Sequence, residues 1–109
     1  MINYININSL ANQILDEFID SDICNYYQIP CYAPKVVLVN NLSAFGFFNI
    51  SKIKNNYIFL IEINDSLDEY EIKKTLTHEL LHYILFLNDA GWADNDDDFI
   101  YWANIFDVL

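Results

Sequence analysis

Basic residues are scarce in this chain of 109 residues, which has no arginine and only five lysines against sixteen aspartates and glutamates. The formal net charge is −11, and no basic residue follows Lys74. Proteins bind nucleic acid mainly through lysine and arginine side chains that displace counterions from phosphates, so this composition disfavours direct nucleic-acid binding. The acidic excess instead favours a well-solvated surface, a metal site or a basic protein partner.

Glycine, proline and cysteine are also rare, with two of each. So few glycines and prolines, with 17% aromatic residues, exclude a disordered or collagen-like chain, because such chains lack the apolar surface that offsets the entropy of ordering. The length suits a single domain over residues 1–109. Cys24 and Cys31 have no second pair with which to form a four-thiolate site. We expect two reduced thiols in or near the core, with a disulfide between them as the alternative.

Long apolar runs are missing as well. The longest, at 57–61 and 83–87, are far shorter than the roughly 20 residues that cross a bilayer. The sequence also has no charged and apolar segments typical of a secretory signal at its start. We therefore expect no membrane segment and a cytoplasmic protein.

The spacing of apolar residues predicts an α+β fold. The first predicted element is a helix capped by Ser9. Within a later strand, Gly46 lies among phenylalanines and predicts a bulge or a close approach of the backbone to a neighbouring element. The S-x-x-E sequence at 66–69 has the form of a capping box and predicts the start of a long helix. The predicted elements are an N-terminal helix at 9–21, three strands at 35–39, 44–50 and 57–63, the long helix at 66–87 and a C-terminal helix from about 96.

The long predicted helix contains the sequence His78-Glu79-Leu80-Leu81-His82, which has the form H-E-x-x-H and holds both histidines of the chain. Residues four apart project from one face of a helix, so both imidazoles can bind one Zn²⁺ at about 2.0–2.1 Å. Glu79 lies beside them, where its carboxylate can accept a proton from a water molecule on the metal and later donate it to the leaving amine.

The sequence therefore predicts a zinc-dependent endopeptidase with His78 and His82 as metal ligands and Glu79 as the general base. The alternative interpretation is that both histidines are satisfied by neighbouring carbonyls or water and that Glu79 is a surface charge. No third histidine exists to activate a serine or a cysteine, so nucleophilic catalysis is excluded. The same ligands would also accept Mn²⁺, Fe²⁺ or Co²⁺.

Four segments of the chain carry a resemblance to a known family: N-L-S-A-F-G-F-F at 41–48, I-E-I-N at 61–64, T-L-T-H-E-L-L-H-Y at 75–83 and G-W-A-D-N-D-D-D-F at 91–99. In these segments the chain resembles the SprT-like zinc metallopeptidases, over roughly residues 35–106. The resemblance implies a small antiparallel sheet of the three strands beside the H-E-x-x-H helix. It also implies that one strand, which we expect at 57–63, lies alongside the extended substrate.

The resemblance further implies a third metal ligand downstream of the long helix. In the family this ligand is usually a histidine between a glycine-aromatic pair and an aromatic residue that starts the last helix, and Asp94 best matches that position here. A carboxylate is an ordinary zinc ligand. Asp96 and Asp98 are the alternatives, although either could instead complement the N-terminus of the last helix.

SprT-like proteins are associated with the cleavage of proteins crosslinked to DNA, and they usually carry basic DNA-binding segments or a zinc ribbon. Neither is found in this sequence, so we expect a minimal catalytic core with a protein or peptide substrate. A rival hypothesis is a non-catalytic acidic module, with or without a structural zinc, that mimics nucleic acid or inhibits a basic, DNA-binding partner.

Overall fold

The computed structural model describes residues 6–109. It has the predicted α+β class, with three helices and one sheet of three strands. The elements, in chain order, are α1 (Ile7–Ile19), a short 3-10 helix (Asp22–Asn25), β1 (Lys35–Val39), β2 (Gly46–Ile53), β3 (Asn56–Asn64), α2 (Glu69–Leu87) and α3 (Asp97–Ile105). The strand at 35–39 has the predicted bounds, whereas β2 and β3 both extend further toward the hairpin that joins them.

The sheet is mixed, so the expected antiparallel sheet is wrong for one of its two strand pairs. Its strand order is β1-β3-β2, with β3 antiparallel to β2 and parallel to β1. The chain reverses direction between β1 and β2, and again in the short turn between β2 and β3. Two reversals return β3 to the direction of β1, and β3 is inserted between its two predecessors. Apolar alternation within each strand carries no information on this order.

The strand that was expected to lie alongside a substrate, β3, is the central strand of the sheet, so this expectation is wrong. Residues 60–63 of β3 pair with both β1 and β2, so their backbone groups are already engaged. The strand at the edge of the sheet beside α2 is β2, whose outer backbone groups have no neighbouring strand among residues 6–109. A peptide that extends the sheet at this side would therefore pair with β2.

The three helices pack around one apolar core that includes one face of the sheet. α1 contributes buried residues at helical spacing, and α2 is buried along most of its length. The buried apolar residues of the core come from every element except β2, and the largest fully buried ones include Phe18, Ile61, Leu80, Ile84 and Phe99. None of the helices in residues 6–109 combines the length and the apolar character that a membrane span requires.

Both predicted helix caps are wrong in position. α1 begins at Ile7 after Asn6, and Ser9 is an exposed residue within the helix, because burial of Ile7 in the core extends the first turn backward. The cap of α2 is Asp68 rather than the expected Ser66, two residues later. Its capping box joins Asp68 and Glu71: Asp68 Oδ1 accepts from the Glu71 N–H at 2.8 Å, and Glu71 Oε1 accepts from the Asp68 N–H at 3.4 Å.

The predicted close backbone approach at Gly46 is confirmed. A Cβ atom at this position would lie 2.8 Å from Thr75 Cγ2 and 3.0 Å from the Glu62 carbonyl oxygen. Only glycine therefore lets the start of β2 lie directly against α2, one helical turn before His78.

The two cysteines differ from expectation: Cys24 and Cys31 are free thiols, but both are exposed rather than in or near the core.

Candidate metal centre

The H-E-x-x-H residues lie on the face of α2 that packs against β2 and the segment after the helix. Glu79 and His82 are buried, with 6% of each residue exposed, and His78 is half-buried. One ligand atom from each of the three residues can be chosen so that all lie within 4.8 Å of one another. The helical spacing of four thus brings the two imidazoles together as the sequence predicted.

The hydrogen bonds of the two imidazoles determine which ring nitrogen is free. His78 Nδ1 is bonded to the Val108 carbonyl oxygen, and His82 Nδ1 is bonded to the Trp92 carbonyl oxygen. A carbonyl oxygen can only accept, so each Nδ1 carries a hydrogen and donates it. In the neutral imidazole this leaves the Nε2 atom of each ring with an unshared electron pair, as required of a metal ligand.

The two Nε2 atoms face each other and a carboxylate oxygen. They lie 3.2 Å apart, and Asp94 Oδ1 lies 3.0 Å from His82 Nε2 and 3.6 Å from His78 Nε2. With neutral imidazoles, these three atoms form a triangle of acceptors that contains no hydrogen donor. Ligands at 2.0–2.1 Å from a tetrahedral ion are separated by about 3.3–3.4 Å. The dimensions of the triangle therefore fit a Zn²⁺ ion.

Among the three candidate aspartates, the structure brings only Asp94 to the histidines. Asp96 Oδ2 accepts from the Ala93 N–H at 2.9 Å, and Asp98 Oδ2 accepts from the Gly91 N–H at 2.9 Å. These two carboxylates hold the backbone of the segment between α2 and α3. Asp94 projects from that segment with 82% of its side chain exposed, so the candidate site is open to solvent on this side.

Glu79 lies beside the histidine pair, with Oε2 4.0 Å from His78 Nε2. Burial, and to a smaller extent the negative charge of Asp94, raises the pKa of its carboxyl from 4.5 to about 8. Burial also lowers the pKa of His82 from 6.5, against the smaller opposing effects of the Trp92 carbonyl and Asp94. Both directions describe the protein without a cation, and a cation between the ligands would favour the ionised carboxylate.

Aromatic rings fix the orientation of His82. The Phe99 ring is stacked on the imidazole, with centroids 3.9 Å apart and an interplanar angle of 3°. Phe48 is parallel to the imidazole at a centroid distance of 6.4 Å, and it also contacts Trp92 edge to face at 6.1 Å. The sequence pattern did not identify Phe48 or Phe99 as site residues, because aromatic residues at helical and strand spacing indicate packing. The carbonyls of Trp92 and Val108 have no sequence signal at all.

A cleft of about 430 Å³ adjoins the candidate metal centre. It lies between the start of β2, the first half of α2 and residues 108–109, and His78 and Glu79 form part of its wall. A larger cavity of about 1000 Å³ between α1 and α2 contacts none of the proposed zinc ligands and does not contact Glu79. The smaller cleft is therefore the one relevant to chemistry at the histidines.

Comparison of the chain with protein families, with curated protein sequences and with solved structures finds no match. The function must therefore be inferred from the arrangement of side chains described above.

Proposed function

We propose that this chain is a zinc-dependent endopeptidase of the SprT-like kind, with His78, His82 and Asp94 as the zinc ligands. The observation that carries the proposal is the triangle of His78 Nε2, His82 Nε2 and Asp94 Oδ1, with sides of 3.0–3.6 Å and both Nδ1 atoms already bonded to carbonyls. Two imidazoles and one carboxylate leave one position of a tetrahedral ion open, which is typical of catalytic rather than structural zinc.

When bound, zinc would lower the pKa of a water molecule and polarise the carbonyl group of a peptide bond. Glu79 would take the proton from that water on its carboxylate and transfer it to the nitrogen of the leaving amine. The carboxylate is suited to this role because it lies beside the histidine ligands, with Oε2 4.0 Å from His78 Nε2. Its burial also shields the transferred proton from bulk water.

The substrate would lie along the outer edge of β2. This edge has backbone groups available for pairing, and the start of the strand, at Gly46, forms part of the same cleft as His78 and Glu79. An extended peptide that adds to a sheet edge gains main-chain hydrogen bonds regardless of its sequence. Such binding suits an endopeptidase, because it requires neither terminus of the substrate.

The acidic-module hypothesis is less well supported by the contacts of the aspartates after α2. Asp96 and Asp98 accept hydrogen bonds from the backbone of their own segment, and Asp94 faces the histidines. These three carboxylates therefore have structural or ligand functions that need no basic partner. We accordingly favour the enzyme.

The test is metal content and peptide hydrolysis measured on the same preparations. Protein purified without chelator and without a histidine tag should contain about one zinc per chain, and the His78→Ala variant should contain none. The zinc-loaded wild type should hydrolyse unfolded fluorescein-labelled casein. Glu79→Gln should retain zinc and lose about 10²–10⁴-fold in turnover, whereas Glu17→Gln, the same change at an exposed site, should lose neither.

Wild-type protein that takes up no added zinc would overturn the proposal. Undiminished hydrolysis by Glu79→Gln would overturn the assigned mechanism.

A further inference from the structure

Lys74 is the one lysine in the wall of the cleft beside the candidate metal centre. It is half-buried on α2, and it precedes His78 by four residues. Residues with this spacing are neighbours on one face of a helix, with Cβ atoms about 5–6 Å apart. The lysine side chain and the histidine therefore border the same space.

The ammonium group of Lys74 forms no ion pair and no hydrogen bond with any residue in the described range, 6–109. The preceding residue shows the contrast. Lys73 lies outside the cleft, and its Nζ is paired with Glu17 Oε1 at 2.9 Å. The chain has only five lysines against sixteen acidic residues, so a half-buried lysine without a carboxylate partner is unexpected on composition alone.

Two side-chain carboxylates, those of Glu71 and Glu79, share the cleft with Lys74, and neither forms an ion pair with it. Glu71 accepts the Asp68 N–H in the capping box that starts α2. Glu79 lies 4.0 Å from His78 Nε2, in the position of the proposed base. The remaining wall near Lys74 includes the aromatic rings of Phe45 and Tyr70 and the Val108 side chain, which suit an aliphatic stem. The cleft thus combines an apolar wall with one lysine, which also borders the larger cavity between α1 and α2.

We propose that Lys74 is a specificity-determining residue, which makes the cleft a binding site for a carboxylate on the substrate. This inference rests on the proposed function, and it specifies the class of substrate: a peptide with aspartate or glutamate close to the scissile bond. Because an extended residue spans about 3.3–3.6 Å, the acidic side chain belongs within two residues of the peptide bond that is cleaved.

The net charge of −11 repels acidic ligands at long range, but this repulsion is screened beyond about 8 Å at physiological ionic strength. A direct contact in a half-buried cleft is screened less. The preference for a carboxylate should therefore arise at contact distance and decrease as salt is added.

The test uses binding rather than turnover. Hydroxamic acids bind zinc at an open position, so the succinyl, glutaryl and adipoyl monohydroxamates can be compared with their terminal amides, which differ only in the charge at the far end. Affinities for the zinc-loaded full chain are measured by calorimetry. At the chain length that reaches Lys74, the acid should bind about tenfold more tightly than the amide. Lys74→Met should abolish this difference without changing the affinity of the amide, and Lys73→Met should preserve it.

Equal affinities of acid and amide at all three lengths, or a preference that persists in Lys74→Met, would show the inference to be wrong while leaving the peptidase intact. A preference that depends on Lys74 in a protein that hydrolyses no peptide would support the carboxylate site and count against the proposed function. Failure of every hydroxamate to bind the zinc-loaded chain would refute both, because no open metal position would then lie beside Lys74.

Discussion

His78 Nε2 and His82 Nε2 lie 3.2 Å apart, each on a ring whose Nδ1 is bonded to a main-chain carbonyl. Two unshared electron pairs that face each other at this distance repel, and the nearby Asp94 carboxylate oxygen adds a third acceptor. The arrangement is unfavourable unless a cation or a proton lies between the three atoms. Several measurable properties of the protein depend on this relationship.

Zinc should stabilise the folded chain. An ion that binds only the folded state adds about 2.7 kcal/mol to the free energy of unfolding at a free concentration 100-fold above its Kd. For a domain of 109 residues this corresponds to an increase in Tm of roughly 10 °C or more. Thermal unfolding with zinc and with a chelator measures the effect. The His82→Ala variant should show no response to zinc, whereas Asp97→Asn, at an exposed acidic residue of the same region, should respond as the wild type does.

The three aspartates after α2 should separate into two groups. Loss of a residue that only hydrogen-bonds to a metal ligand typically weakens metal binding by roughly 10–100-fold. Asp94→Asn removes a proposed ligand, so it should weaken zinc binding by more than this, with little effect on the stability of the zinc-free protein. Asp96→Asn should instead destabilise the zinc-free chain by about 1 kcal/mol, since its carboxylate accepts the Ala93 N–H. Competition with a chromophoric chelator and urea unfolding measure the two quantities. Equal zinc affinities of the two variants would remove Asp94 from the ligand set.

The zinc-free protein should lose stability as the pH rises above neutrality. The Glu79 carboxyl has a pKa of about 8 when folded and 4.5 when unfolded, so the folded state binds the additional proton between these values. Stability from this group is complete below 4.5 and is lost as the pH rises through about 8. Burial lowers the folded pKa of His82, so this residue adds an opposing slope near its unfolded pKa of 6.5, which becomes small above about pH 7.5, where the unfolded imidazole is nearly all neutral as well.

Urea unfolding between about pH 7.5 and 8.5 should therefore show the free energy of unfolding falling with pH, by less than the roughly 1.4 kcal/mol per pH unit that one whole proton would give. Glu79→Gln should flatten this slope, because its amide does not titrate. A wild-type slope equal to that of the variant would mean that the Glu79 carboxyl is already ionised at neutral pH in the folded state.

The close contact of Gly46 with α2 should make this position intolerant of any side chain. Gly46→Ala places a Cβ atom 2.8 Å from Thr75 Cγ2, and overpacking of this kind costs about 1–3 kcal/mol. Adding Thr75→Ser removes the methyl group and should recover part of the loss, although the Glu62 carbonyl oxygen at 3.0 Å remains. Chemical denaturation of the two single variants and the double variant measures the coupling. Strictly additive effects would show that the two positions do not clash.

The sequence predicted local structure better than it predicted how the elements meet. The sequence pattern identified the three α-helices and the three strands, since each side-chain spacing reflects a single element, but it did not predict the 3-10 helix at Asp22–Asn25. The order of the sheet was missed, because the position of β3 between β1 and β2 depends on two chain reversals. The start of α2 was misplaced because both Ser66 and Asp68 precede a glutamate by three residues, and only tertiary packing decides which serves as the cap.

The candidate site shows the same division. His78 and His82 were predicted to share one face of the helix, and they do, because a spacing of four fixes that geometry. Their partners could not be predicted from residue types. The oxygens of Trp92 and Val108 belong to the backbone, and the interaction of Asp94 with the histidines depends on a segment that Asp96 and Asp98 hold in place.

The carbonyls that orient the two imidazoles come from separate parts of the chain, one between α2 and α3 and the other after α3. A peptide limited to α2 would contain the whole H-E-x-x-H sequence but neither of these acceptors, and it would lack Asp94. Its histidine rings would rotate freely, and its affinity for zinc would be that of a flexible chelator. Under the proposed function, zinc affinity would therefore depend on the folding of the entire C-terminal half, and a substitution that loosens the packing of α3 would weaken zinc binding.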